Sequence, residues 1–271
     1  MRTAAIQMVS TDAVAVNLGT AAALLRQAAE QGAELLLLPE YWCLLGQRDS
    51  DKLAIAEDFG SGMLQDFLAE QAQTLGVHLV GGTIPLKTGQ ADKAYNSSLA
   101  FDPQGHCVAR YDKMHLFSFH KGREAYNEGK SLLAGNQPIA FDVQDRKGHN
   151  WRVGLSVCYD LRFPELYRQL AADMYLVPSA FTYTTGQAHW ELLLRARAVE
   201  NLAYVVAAAQ GGLHSNGRQT WGQAMVVDPW GQVLAQQAQG AGVVLADCDG
   251  QALQNYRLQL PALRHKKLLT S

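Results

Sequence analysis

Apolar positions along the chain switch between two spacings, and the switches mark out its elements. Residues 3–9 read as a short strand. Across residues 17–31, Leu18, Ala21, Ala22, Leu25 and Ala28 recur at the interval of a helix face, and Gly32 supplies a stop. Residues 35–38 form an unbroken apolar run, the length of a strand buried on both faces, which delivers Pro39 and Glu40 at its C-terminal end. A second helix carries Met63, Leu64, Phe67, Leu68 and Leu75 and closes at Gly76, and residues 77–84 predict a strand. Residues 97–101 and 106–111 flank the turn sequence Asp102-Pro103-Gln104-Gly105 and predict a hairpin, with Lys113 just beyond it.

Residues 114–138 have little periodicity, and at that length such a segment is more often a functional loop than filler. A strand–helix rhythm then resumes. Residues 151–157 predict a strand ending at Cys158, residues 164–171 a helix, 174–177 a buried strand and 189–202 a strongly patterned helix. Strands at 204–209 and 223–227 follow, and Asp228-Pro229-Trp230-Gly231 turns into 232–235, before a last strand at 243–246. There is no linker and no low-complexity tract. Alternating strands and helices with inserted hairpins predict one α/β domain over residues 1–271, built of layered sheet and helix.

Composition acts mainly by exclusion. A chain of 271 residues buries about three-quarters of its unfolded surface and needs no staples. Hydrophobic residues make up 48% and charged residues 18%, as in ordinary soluble globular proteins. A formal net charge of −2, with no block of like charges, recommends neither a nucleic-acid nor a membrane partner. The first residues lack the apolar run of a signal peptide, and no stretch approaches the ~20 apolar residues of a membrane span. Cys43, Cys107, Cys158 and Cys248 lie far apart and match neither a zinc-site spacing nor a redox C-x-x-C, so a reduced, cytoplasmic thiol protein is expected.

Glu40, Lys113 and Cys158 each stand where a predicted strand or hairpin ends. In α/β sheets, the carboxyl ends of strands are the usual place for a site. A thiol attacks as thiolate, and with an ordinary pKa of about 8.5 it needs a base or a cation beside it. Glu40 could be the base and Lys113 the cation, the division of labour an activated nucleophile requires. Spacing alone does not bring them together. A free cysteine is as readily a small buried hydrophobe, and most glutamates and lysines sit on solvated surfaces. Arg162, four residues past Cys158, has the planar fork that clamps a carboxylate; the alternative is a structural ion pair with Glu165 or Asp160.

Three segments resemble the signature segments of the nitrilase (carbon–nitrogen hydrolase) superfamily. They are Leu38-Pro39-Glu40, Tyr111-Asp112-Lys113-Met114-His115-Leu116, and Gly154-Leu155-Ser156-Val157-Cys158-Tyr159-Asp160-Leu161-Arg162-Phe163-Pro164-Glu165. They occur in the family's order, and the likeness runs from Ala4-Ala5-Ile6-Gln7 to Leu260-Pro261. The resemblance implies an α-β-β-α sandwich, dimerised with the helix at 164–171 and the C-terminal region at the interface. It implies acyl transfer through Cys158, with Glu40 moving the proton, Lys113 and the Tyr159 backbone N–H facing the oxyanion, and no metal or organic cofactor. A second glutamate lies in the loop after the lysine; Tyr126-Asn127-Glu128-Gly129 matches that place, and Glu124 is its rival. Residues 117–126 depart most from the family.

Within the superfamily, Pro178-Ser179-Ala180-Phe181, Thr185-Gly186-Gln187-Ala188-His189-Trp190 and Val227-Asp228-Pro229-Trp230-Gly231 resemble the deaminated glutathione amidases. This implies a small acidic amide substrate with an α-keto acid end, met by Tyr159, Arg162 and Thr185. An ω-amidase acting on α-ketoglutaramate is the alternative inside the class, and a non-catalytic binding member the alternative outside it. Lys121 and Arg123 could add positive charge for a second carboxylate, or simply sit in solvent. His115 is expected to support its loop, Arg195, Arg197 and Glu200 to form structural ion pairs, and Cys43, Cys107 and Cys248 to pack.

Overall fold

The computed structural model describes residues 1–122 and 124–268, so Arg123 lies outside the described residues. The N-terminal half holds β1 (Arg2–Met8), α1 (Val14–Glu30), β2 (Leu35–Leu37), α2 (Met63–Leu75), β3 (His78–Val80), β4 (Ile84–Lys87), β5 (Ala94–Phe101) and β6 (Cys107–Asp112). After a small hairpin of β7 (Ser118–Lys121) and β8 (Glu124–Asn127) come β9 (Ala140–Gln144), β10 (Asn150–Leu155), α3 (Pro164–Leu170), β11 (Met174–Leu176) and α4 (Tyr183–Asn201). The chain continues with β12 (Tyr204–Ala207), β13 (Ala209–Leu213), β14 (Gln219–Trp221), β15 (Ala224–Val227), β16 (Val233–Gln237), β17 (Gly242–Asp247) and α5 (Gly250–Gln259).

Two sheets form. One runs β14-β13-β1-β2-β3-β5-β4, with β17 on β1 and β6 on β5; the other runs β16-β15-β12-β11-β10-β9. Side-chain alternation explains the layering. Ala4, Ile6 and Met8 of β1, with Leu36 of β2, pack on Leu25 of α1 and Leu68 of α2. Ala5, Leu35 and Leu37 point the other way and pack with Val153, Leu155 and Val205 of the second sheet. Trp190 and Leu194 of α4 join that second core. The result is the expected α-β-β-α sandwich, and it explains why β2 is apolar without interruption: both of its faces are covered. Among the described residues, no helix is long and apolar enough to cross a membrane.

The structure departs from the sequence expectations in several places. The strand expected over 77–84 breaks into β3 and β4, because Gly82 adopts φ 51° and a Cβ there would lie 2.0 Å from the Pro39 carbonyl oxygen. The break thus lets this backbone press against the segment that carries Glu40. The expected strand at 204–209 is two strands, β12 pairing with β11 in the second sheet and β13 with β1 in the first. An apolar run does not reveal that the chain changes sheet. The last long helix begins at Tyr183 rather than 189, capped by the Thr182 hydroxyl, which accepts from the Thr185 N–H at 3.4 Å. Its threonine- and glycine-bearing first turn carries little helix signal, and Gly186 is required because a Cβ would lie 2.2 Å from that of Trp221. The aperiodic segment 114–138 contains the β7–β8 hairpin, and β9, β14 and α5 are elements that the apolar spacing does not announce.

Candidate active site

Strand ends deliver the three expected residues to one place. Glu40 follows β2, Lys113 follows β6 and Cys158 follows β10. Glu40 is 1% exposed and Lys113 fully buried. The Lys113 ammonium donates to Glu40 Oε1 at 2.9 Å and to Glu128 Oε2 and Oε1 at 2.8 and 3.0 Å. Glu40 Oε1 also accepts from Asn96 Nδ2 at 2.9 Å, and its Oε2 from the backbone N–H of Ala180 at 2.9 Å. Three donors from different elements therefore fix one carboxylate. Glu128 accepts in turn from the Tyr41 hydroxyl at 2.8 Å and the Phe117 N–H at 2.7 Å.

The electrostatics follow from burial and from these contacts. Burial pulls the Lys113 ammonium down, but the charges of Glu128 and Glu40 outweigh it and hold the group well above the ordinary lysine range. Burial pushes Glu128 up, yet the Lys113 charge and hydrogen bonds keep it below the ordinary glutamate range. Cys158 goes the other way. Burial, then the Glu40 charge, push its thiol well above the usual value against the pull of Lys113. At rest the site therefore holds a neutral thiol beside a carboxylate and an ammonium. Such a thiol attacks only if its proton leaves as the new bond forms.

Cys158 sits at φ 51°, in the left-handed region, at the head of a 3-10 turn, Cys158–Arg162. A non-glycine residue held there costs on the order of 1–3 kcal/mol, and the surroundings must impose it. Asp160 does much of that. Its buried carboxylate accepts from Val157 N–H at 2.8 Å, the Tyr111 hydroxyl at 2.7 Å, and His115 N–H and Nδ1 at 3.0 and 2.7 Å. The lysine-bearing and cysteine-bearing segments are thereby tied together. The His115 ring stacks on Phe163 at 3.7 Å, in keeping with the supporting role expected of it.

Two chambers meet at Phe117. One, of about 220 Å³, is lined by Cys158, Tyr159, Arg162, Phe181 and Thr185. The Arg162 guanidinium lies 5.8 Å from the Tyr159 ring centre and 5.7 Å from that of Phe181. Both its terminal nitrogens donate to His189 Nδ1 at 3.3 Å. Among the described residues it forms no ion pair with Glu165 or Asp160, whose structural pairing was the alternative. The Thr185 hydroxyl is 2.8 Å from that of Thr182. The second chamber, of about 500 Å³, is lined by Tyr41, Lys52, Tyr126, Glu128 and Arg218 among others.

Glu40, Lys113, Cys158 and Glu128 thus converge, and Tyr159, Arg162 and Thr185 share the chamber of Cys158. The side chain of Glu124, the rival to Glu128, lies outside the described residues, as does Arg123. Lys121 is exposed and lines neither chamber. Cys43 and Cys248 pack as expected, but Cys107 is exposed, because β6 is an edge strand whose first residues face solvent. Arg195 pairs with Glu191 at 3.3 Å and Arg197 with Glu200 at 2.8 Å. Asn96, Tyr41 and Asp160 join the site without having been expected there. The signal available was a polar run, Asn96-Ser97-Ser98, inside a buried strand, since buried polar groups imply partners.

The carbon-nitrogen hydrolase family profile matches residues 2–258. A deaminated glutathione amidase of Synechocystis sp. (strain PCC 6803 / GT-S) is 41% identical over 268 residues, 97% of each chain. The omega-amidase NIT2 of Homo sapiens is 36% identical over 270 residues, 98% of this chain and 95% of that one. Among solved structures, the C. elegans NitFhit protein superposes with a TM-score of 0.89 at 35% identity, covering 98% of this chain and 65% of that longer one. Likeness of this extent, in sequence and in fold, places the chain in the carbon–nitrogen hydrolase family.

Proposed function

We propose that the protein is a cysteine-dependent amidase that hydrolyses deaminated glutathione to 2-oxoglutarate and Cys-Gly. The observation that carries this is the placement of the Arg162 guanidinium, which has no carboxylate partner among the described residues, in the same small chamber as the Cys158 thiol, beside the buried Glu40–Lys113–Glu128 cluster. An α-keto acid carboxylate gripped by Arg162 sets the acyl chain across Cys158. Tyr159 and Phe181 flank the guanidinium with ring faces and restrict its orientation.

Glu40 takes the thiol proton as sulfur bonds to the amide carbon. The developing oxyanion meets the Lys113 charge and the Tyr159 N–H, prearranged donors of the kind that often supply the largest catalytic contribution. The C–N bond then breaks, Glu40 hands its proton to the departing nitrogen, and the acyl group remains as a thioester on Cys158. Water attacks the thioester, giving a proton to Glu40; the C–S bond breaks, and the proton returns to sulfur. Glu128, bidentate on Lys113, holds the ammonium in place throughout. No step calls on a metal or cofactor.

The likeness to an omega-amidase supports a second reading, hydrolysis of α-ketoglutaramate, which has the same acyl group but releases ammonia. Incubation with deaminated glutathione, α-ketoglutaramate and a simple neutral ω-amide, following 2-oxoglutarate and ammonia, separates the two by kcat/KM. A protein that binds these amides and turns none over would be a non-catalytic member.

Arg162→Lys tests the clamp. Lysine keeps the charge but not the planar fork, so KM for the keto-acid substrates is expected to rise about tenfold or more, with kcat changing less. The neutral amide should be affected little, and the melting temperature should hold. Equal losses on all substrates, with a lowered melting temperature, would make Arg162 structural.

We read the chain as one domain that works as a cytoplasmic homodimer. Val199 of α4, Trp230 and Leu258 of α5 are exposed, and Trp230 stacks on Tyr256 of α5 at 5.3 Å, an apolar surface continuous between the two helices and the turn. Sedimentation velocity is expected to give twice the 29.6 kDa chain mass. A monomer at micromolar concentration would remove the dimer.

A further inference from the structure

We propose that the chamber of about 500 Å³ beyond Phe117 seats the leaving amine, and that Lys52 and Arg218 recognise a carboxylate at that amine's far end. The preferred substrates would then be amides of small acidic amines or dipeptides rather than primary amides. This rests on the amidase reading above and deepens it.

Sidedness comes first. At a carbon bonded to Cys158 Sγ, the acyl arm and the amine nitrogen point apart. If the acyl arm occupies the Arg162 chamber, the nitrogen faces the Glu40–Lys113–Glu128 side. Phe117 lines both chambers, and Tyr41 and Glu128 line the larger one, so that side opens into it.

Size comes next. Ammonia is about the size of one water, whereas this space, open to solvent, extends from Phe117 and Glu128 past Tyr41 and Lys52 to Arg218.

The charges point the same way. Lys52 stands 4.9 Å from the Tyr41 ring centre, and Arg218 stands 5.2 Å from that of Tyr126, each cation steadied over an aromatic face. Among the described residues, neither forms an ion pair. The third cation of the chamber, Arg48, is occupied by Asp51 at 3.0 Å, and Glu128 is occupied by Lys113. Asp49 at the exposed rim is the acidic neighbour of Lys52, which burial pulls below the ordinary lysine range. Two partly buried cations without a carboxylate of their own, in a chamber that shares Phe117 with that of Cys158, fit an anion carried by the leaving group.

The test pairs substrates with variants. The intact enzyme is given deaminated glutathione and its analogue with the glycyl carboxylate converted to a carboxamide. Wild type should lose about tenfold or more in kcat/KM on the carboxamide, and Arg218→Gln should erase most of that difference. Lys52→Met is the second variant, expected to act the same way. Binding of free Cys-Gly, measured by calorimetry on the wild-type protein and on Arg218→Gln, reads the chamber without any turnover, and affinity should fall about tenfold in the variant. Equal turnover of acid and carboxamide by wild type would overturn the proposal. So would unchanged Cys-Gly binding in Arg218→Gln, and the chamber would then be a solvent mouth. Failure of the amidase reading looks different: none of the amides is hydrolysed, α-ketoglutaramate included, while the Cys-Gly titration still decides the chamber.

Discussion

Cys158→Ala is expected to abolish amide hydrolysis, by about 10⁴-fold or more in kcat, while the fold survives. In the proposed mechanism the sulfur forms the bond that splits one hard step into two, and Ser156, two residues earlier, offers no substitute because it spends its hydroxyl on the Leu176 carbonyl at 2.9 Å. Alanine fits the space, and the positive φ at this position is as tolerable for alanine as for cysteine. Intact-protein mass spectrometry on a slow substrate should show one acyl group on the wild-type chain and none on the variant. The remaining thiols are internal controls. Cys43 and Cys248 are buried, with thiols pushed up to about 12, and Cys107 is exposed away from the cluster. An adduct on any of those three would displace Cys158 from the role.

Lys113→Ala is expected to do damage on two scales. Among the described residues the ammonium is the one cation bonded to both Glu40 and Glu128, and its removal leaves two buried acidic side chains without it. Breaking a buried pair in this way costs about 3–5 kcal/mol. In kcat the loss of oxyanion stabilisation alone should reach roughly 10²–10³. The pH dependence separates this from a mere packing defect. In the wild type, Glu128 is held below its ordinary range, so it contributes stability above the unfolded glutamate pKa of about 4.3. That contribution is lost as pH falls through the folded value. In the variant the Lys113 charge is gone, and only the hydrogen bonds from Tyr41 and Phe117 still work against the burial of Glu128. Urea titrations should therefore show the gap between the two proteins narrowing as pH drops below about 4. A gap independent of pH, with near-normal kcat, would mean that Lys113 only fills space.

Much of the fold and of the site is legible in the amino-acid sequence itself. Leu35 to Leu38 announces a two-faced buried strand, and Gly76 closes α2 in the left-handed conformation that such a stop requires. These are local signals: each depends on residues within a turn or two. The order of the three signature segments is equally plain. What stays hidden depends on partners far away in sequence. Nothing near Gly82 says that the carbonyl of Pro39 will press on it, and nothing near Arg162 says that His189, 27 residues later, will accept both its terminal nitrogens. Asn96 gives no warning of its role because a strand pattern records which faces are apolar, not that one polar side chain will hold a glutamate 56 residues earlier. The second chamber is invisible for the same reason, since Lys52 and Arg218 come together only through the fold.

The neutral resting state of Cys158 has a consequence for survival rather than for turnover. Peroxide and most electrophiles act on exposed thiolates, and oxidation climbs from there to acids that no reductant restores. A thiol that is 7% exposed and held above its usual range offers neither the charge nor the access. In the proposed mechanism Cys158 becomes reactive only as Glu40 takes its proton in the presence of an amide. Among the described residues the one exposed thiol is that of Cys107, which is where an oxidant would be expected to act first.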